Sequence, residues 1–270
     1  MTVIHPLDQE TALSLLKEGV WAGASTKAYG NMVGTFGGVV AATLLNAVVS
    51  DERRMGEPVS LTVNFCASVV VGDLTVQTKL QRAGKYTQHW SLELTQNDQI
   101  CATASVVTGT RGDVFAMQSA GAPDVPKFED CTPIPEYPVK WMGRYDMRFV
   151  EGQPEFASKQ HDPLGSPYAA VWLRDNPDRT LDAVALASLA DCFFPRLLHI
   201  RGTVVPFATV SMTTHFLATP EDLAEQADRP VLGVVDGDRF QGNFHNQRMQ
   251  LWSESGKMLA VGTQVVWYKH

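Results

Sequence analysis

Two stretches of the chain are apolar on nearly every face, and short alternating stretches surround each of them. The first runs Thr35-Phe-Gly-Gly-Val-Val-Ala-Ala-Thr-Leu-Leu-Asn46-Ala-Val-Val49. The second runs Leu181-Asp-Ala-Val-Ala-Leu-Ala-Ser-Leu-Ala-Asp191-Cys-Phe-Phe-Pro195. A helix apolar all round has no solvent face and is predicted to be buried. Pro195 is predicted to stop the second helix, because proline lacks the N–H that continuation requires. Alternation in Leu74–Leu80 and in His89–Leu94 predicts strands with one covered face. Gln96-Asn-Asp98 and Ser255-Gly-Lys257 supply turn residues for two hairpins.

These elements recur in the same order, which predicts a duplication. Asn46 aligns with Asp191 at an offset of 145, and Phe65 with Phe216 at 151. Gln88–Leu92 aligns with Gln247–Leu251, and Ile100–Val107 with Leu259–Val266, both at 159, so that Ser105 faces Gln264. The rising offset corresponds to modest insertions in the second copy, which loops accommodate at small entropic cost. Each copy is predicted to be an antiparallel sheet wrapped around its central helix, an α+β unit. Residues 119–138 hold Pro123, Pro126, Pro133, Pro135 and Pro138 and read as a semi-extended linker. The expected division is therefore 1–118, the linker 119–138, and 139–270. The polar stretch Glu221–Arg229 either covers a site or forms a surface helix.

Composition narrows the class. The 270 residues are 44% hydrophobic and 19% charged, as in an ordinary globular protein. A net charge of -7 without a basic block argues against nucleic acid as the partner. Cys66, Cys101, Cys131 and Cys192 lack metal-type spacing and read as reduced thiols, which points to the cytoplasm. Neither a signal peptide nor an apolar run of the roughly 18 residues needed to span a bilayer is evident, so no membrane association is expected.

The chain has no GxSxG elbow, phosphate loop, GxGxxG fingerprint or HExxH pair, and no metal or cofactor is expected. What remains is a polar set in the second copy. Asp191 is an acid within an apolar helix, and burial raises a carboxyl pKa and makes a stronger base. Exposure to solvent where the helix emerges is the plainer reading. In Phe207–Phe216, strict alternation places Thr209, Ser211 and Thr213 on one face. Gln264 lies amid apolar neighbours in Val261–Trp267. An acid, a hydroxyl and an amide suffice to hold and deprotonate a water molecule. His215 and His245 read as strand residues, and Trp141, Tyr145 and Phe149 as core or interface.

A buried helix carrying Asp191, the strand Ala208-Thr-Val-Ser-Met-Thr-Thr-His-Phe216, and the final Gly262-Thr-Gln264 together resemble the acyl-CoA thioesterase II (TesB-like) family. Ser211 and Met212 stand where the best-known members carry Asp and His, which marks a divergent branch. The resemblance implies two fused hot-dog units in one chain, hydrolysis of acyl-CoA in lipid metabolism, and a water held by Asp191, Thr209 and Gln264. Thr213 is the second candidate for the hydroxyl. In related hot dogs a helix N-terminus polarises the thioester carbonyl, a role that would fall to Gly37 and Gly38; close helix packing explains the same glycines equally well. A hot-dog enoyl-CoA hydratase or dehydratase is the alternative enzyme, although no Gly-Asp-x-Asn-Pro-x-His-like loop is present. A non-catalytic acyl-CoA-binding double hot dog is the other. Exposed sheet edges predict a homodimer or larger assembly.

Overall fold

The computed structural model describes residues 4–112, 114–153 and 165–269. In the first half a short helix α1 (Pro6–Glu10) precedes strands β1 (Ser14–Lys17) and β2 (Val20–Ser25). Helix α2 (Gly37–Val49) follows, then β3 (Glu57–Phe65), β4 (Gly72–Ala83), β5 (Thr87–Gln96) and β6 (Gln99–Gly109). The second half opens with β7 (Tyr145–Glu151), β8 (Ala169–Asp175), α3 (Ala183–Leu189) and α4 (Arg196–Arg201). It continues with β9 (Phe207–Phe216), α5 (Pro220–Gln226), β10 (Val231–Asp236), β11 (Phe240–Gln241), β12 (Phe244–Trp252) and β13 (Met258–Tyr268).

All the strands join one antiparallel sheet in the order β1-β2-β4-β5-β6-β3-β9-β13-β12-β10-β8-β7, with the short β11 hydrogen-bonded to β12. Past the β3–β9 junction the second half repeats the first in reverse, so a local two-fold axis crosses the sheet at its centre. Thr62 pairs with Thr213 there, and their hydroxyls meet at 3.0 Å across the same 151-residue offset that relates Phe65 to Phe216. Each half contributes its apolar helix to the covered face. From Gly38 to Val48, α2 is buried at every position except Asn46. The two helices also pack against each other.

The register sharpens the alignment of the copies. With Thr62 equivalent to Thr213, the partners Ser105 and Thr263 correspond, as do Ser91 and Arg248. Gln264 therefore corresponds to Val106 rather than Ser105, and Gln247 to Trp90 rather than Gln88. The Gln264 change is a slip of one residue, which reverses the faces of the strand, and the Gln247 change is a slip of two, which keeps them; a letter-by-letter match detects neither.

The second helix is shorter than its apolar run implies. Helix α3 begins at the N-cap Asp182, whose side chain accepts from the Ala185 amide, and ends at Leu189. Pro195 does not stop it; that residue is the N-cap of α4. The residues between form a tight buried turn. Both expected hairpins are present: Asn97 and Asp98 adopt positive φ, and Gly256 does so in the β12–β13 turn. The proline-rich run docks on the sheet, where the Trp172 indole donates to the Pro126 carbonyl and buried Phe128 lies under the Arg148 guanidinium. Helix α5, capped by Thr219 and Asp222, is a surface helix held to the β12–β13 turn through Lys257.

Because β3 and β9 are neighbours in one sheet, both halves are expected to unfold together. Leu61, fully buried beside the junction, tests this. Leu61→Ala should cost roughly 2–5 kcal/mol in chemical denaturation, with tryptophan fluorescence and far-UV circular dichroism still changing in one transition. Two separated transitions would show that the halves are independent.

Candidate active site

Asp191 lies two residues beyond the last turn of α3, with its amide donating to the Ser188 carbonyl at 3.2 Å. Its carboxylate points into the protein rather than outward, toward the N-terminus of α2 from the other half. The Gly38 N–H donates to it, and Gln264 Nε2 donates to Oδ1 at 2.6 Å. Burial pushes the carboxyl up to about 7, while the Gln264 and Gly38 hydrogen bonds hold it down. An acid in this setting is poised to exchange protons near neutrality.

The glycines at the start of α2 make this approach possible. A Cβ on Gly37 would lie 2.7 Å from Asp191 Oδ2, and one on Gly38 would lie 2.5 Å from the Ser188 carbonyl oxygen. The N-cap, Phe36, provides no side-chain oxygen, so the first amides of α2 are left for other partners. Its ring instead stacks on Trp141 at 4.2 Å and packs edge-on to Tyr145, while Phe149 stacks on Phe194. This aromatic group is core packed around the helix start.

On the sheet below, a β-bulge decides which hydroxyl faces the site. Val265 pairs with Ser211 and Val266 with Thr209, so Val210 is an extra residue in β9. The bulge separates the three residues that strict alternation places together. Thr209 shares the inner face with Val266, Met212 and Gln264, whereas Ser211 and Thr213 face outward. Thr213 bonds Thr62 on the side of the sheet away from Asp191 and is thereby removed as a candidate. No hydrogen bond joins Thr209 to Asp191 or Gln264 among the described residues.

Sequence reasoning passed over the residues behind Gln264. Buried Gln247 donates from Nε2 to Gln264 Oε1 at 2.7 Å and accepts from the Arg196 amide at 3.3 Å. Met212 Sδ lies 3.2 Å from Gln264 Nε2. The signal was the parity of β12: Gln247 shares its face with Met249 and Leu251, a polar residue on an apolar stripe. Buried Arg196 donates to the Phe194 and Gly152 carbonyls. Burial, reinforced by the nearby Arg196 charge, lowers the His245 pKa to about 4, so this imidazole is neutral near pH 7. His215 is an exposed outer-face residue paired with Val261 and Ser60. Helix α5 lies by the start of α3, where the Leu181 amide donates to the Ala227 carbonyl, away from Asp191. Among the described residues, no group of three His, Cys, Asp or Glu side chains is placed to hold a metal ion, and no helix is long and apolar enough to cross a membrane.

Comparison with known proteins places this architecture. A family model for the N-terminal domain of acyl-CoA thioesterases matches residues 26–109, and one for the C-terminal domain matches 122–268. The chain belongs to the acyl-CoA thioesterase family. Its fold is the double hot dog of the TesB-like thioesterase II proteins. Among solved structures, it is similar to a conserved protein of unknown function with a hot dog fold from Alicyclobacillus acidocaldarius. The identity there is 35%, the TM-score 0.93, and 99% of each chain is covered. It also resembles a proposed thioesterase II from Thermobifida fusca YX, at 18% identity and TM-score 0.86 over 100% of both chains. An acyl-CoA thioesterase II from Mycobacterium marinum matches at 17% identity and TM-score 0.76 over 98% of both. No curated protein matches the sequence.

The shifted acid of this acyl-CoA thioesterase family member carries a stability consequence. Its folded pKa, about 7, lies above the 3.8 of an ordinary aspartate in the unfolded chain, so its contribution is full below pH 4 and is lost as pH rises through 7. Relative to wild type, Asp191→Asn should therefore gain roughly 4 kcal/mol between pH 4 and pH 8. Asp175, likewise pushed up to about 7 by burial, is common to both proteins and cancels in the difference. Melting curves across that range check this; a pH-independent difference would refute the raised pKa.

Proposed function

We propose that the chain hydrolyses acyl-CoA thioesters to a free acid and coenzyme A, with Asp191 as general base. One observation carries this reading. A buried carboxylate with a raised pKa is held between the Gln264 amide and the N-terminal amides of α2, at the junction of the two halves. Ionised Asp191 takes a proton from water as the water oxygen bonds to the thioester carbonyl carbon. The resulting tetrahedral oxyanion lies where α2 begins. Since Gly38 serves Asp191, the Gly37 amide is assigned to the oxyanion, helped by the positive end of the helix dipole. Collapse breaks the carbon–sulfur bond, and the proton held by Asp191 passes to the departing coenzyme A sulfur. The base is thereby restored.

Gln264 fixes the carboxylate, and Thr209, turned inward one row along the sheet, is assigned to orient the water. Ordering of the water by these groups replaces entropy that would otherwise be lost in the transition state. The division at 119–138 is retained as the boundary of the two hot-dog units. A hydratase reading has weaker support. The likeness to the dehydratase domain of RzxB from Pseudomonas fluorescens, at 12% identity and TM-score 0.60, is one of fold alone.

A thiol-release assay over acyl-CoAs from short to long chain tests the proposal. Asp191→Asn is expected to lower kcat by roughly 100- to 10,000-fold with the fold retained. Wild-type kcat/KM should rise with pH through about 7 and level off above, because only the ionised acid is a base. Undiminished turnover by Asp191→Asn would refute the assignment. Tight acyl-CoA binding without turnover on any chain length would instead favour the non-catalytic reading.

A further inference from the structure

The two-fold axis sets three inner-face positions of one half against three of the other. In the first half, Leu61, Val106 and Trp90 lie side by side across β3, β6 and β5. In the second, the equivalent row across β9, β13 and β12 is Met212, Gln264 and Gln247. All six residues are buried. The first half shows that this row folds well with apolar side chains. A buried amide is costly unless its groups are satisfied, so packing alone does not account for Gln247.

We propose that Gln247 is a positioning residue that sets the polarity of an amide relay ending on Asp191. The proposal rests on the reading of Asp191 as the base. Arg196 is the first residue of α4, where a helix amide has no partner within its own helix. A backbone N–H can only donate. Gln247 must therefore turn Oε1 toward Arg196, at 3.3 Å, and Nε2 toward Gln264. Gln264 must in turn accept through Oε1 and direct Nε2 at Asp191 Oδ1, at 2.6 Å. A flip of either amide would set donor against donor. The relay thus delivers an N–H to the carboxylate and favours its ionised form, which is the form a base requires.

Without Gln247, the Gln264 amide is free to rotate and present its oxygen to Asp191. An amide oxygen accepts from the protonated acid and stabilises that form instead. The other titratable groups of the packed elements are few. Cys192, beside Asp191, and Tyr145, below α3, are held protonated by burial, and Arg196 and His245 belong to α4 and β12. In α2 the residues against Asp191 are glycines, and in β13 the contacting side chain is Gln264.

The test is the pH profile of kcat/KM for acyl-CoA hydrolysis by full-length wild type, Gln247→Met and Gln247→Glu. Methionine keeps the volume but ends the relay. Glutamate accepts from Arg196 and, when ionised, forces Gln264 to turn its oxygen to Asp191. The acidic limb is expected to move to higher pH by about half a unit or more in Gln247→Met and further in Gln247→Glu, with the plateau rate within a few-fold of wild type. A lowered plateau with an unmoved limb is what loss of packing would produce, and it would overturn the proposal. The carboxyl of Asp191 can also be titrated directly by carbon-13 NMR in wild type and Gln247→Met. An upward shift supports the relay even if Asp191→Asn proves active and the base assignment fails; an unchanged titration refutes it. Should Gln247→Glu not fold, the methionine variant carries both measurements.

Discussion

The structure turns on one buried carboxyl group placed where two helix ends of opposite polarity meet. The C-terminal turn after α3 brings Asp191 against the first amides of α2, and only glycines leave room for the approach. The partial positive charge at a helix start favours a carboxylate, yet burial opposes ionisation, and the balance leaves the acid near neutrality. The neighbouring arrangements follow from this. The amide chain through Gln264 and Gln247 supplies donors of fixed direction, and the aromatic group of Phe36, Trp141 and Tyr145 packs tightly around the start of α2.

Because α2 belongs to one half and Asp191 to the other, neither half contains the candidate site alone. The continuous β3–β9 pairing makes that dependence rigid. Two copies of one unit have diverged across the axis. In the first, Asn46 ties the end of α2 to the Thr11 carbonyl, and the equivalent sheet row is apolar. The bulge itself is shared: a skipped Val59 in β3 matches the skipped Val210 in β9. The frame was thus duplicated whole, while the polar residues differ between the copies.

The polar row beyond the bulge shows the same divergence. Gln88 in the first half is satisfied by the Arg53 carbonyl, the Met55 amide and Thr108. Its counterpart His245 keeps Nε2 buried without a partner. At this position the first half has a satisfied amide, whereas the second keeps a buried ring nitrogen unpaired, which costs stability.

Much of this was legible in the sequence. A helix apolar on all faces has to be enclosed, and two of them in repeating order imply two enclosing units. An acid in one such apolar run and an amide in the last strand were visible as polar residues among apolar neighbours, and Asp191 and Gln264 do meet. Sequence alone also carried the strands of alternating pattern and the turn residues between them, since both are local properties of the backbone. Other features depend on partners distant in the chain. The bulge at Val210 turns Thr209 to the face opposite Ser211 and Thr213 and is set by pairing with β13. The register that equates Gln264 with Val106 is set by the central two-fold. The use of the Gly38 amide by Asp191, and the donor from Arg196 that orients Gln247, exist only once four separate segments are packed together. Periodicity reports which side of an element is covered; only the tertiary structure decides what covers it.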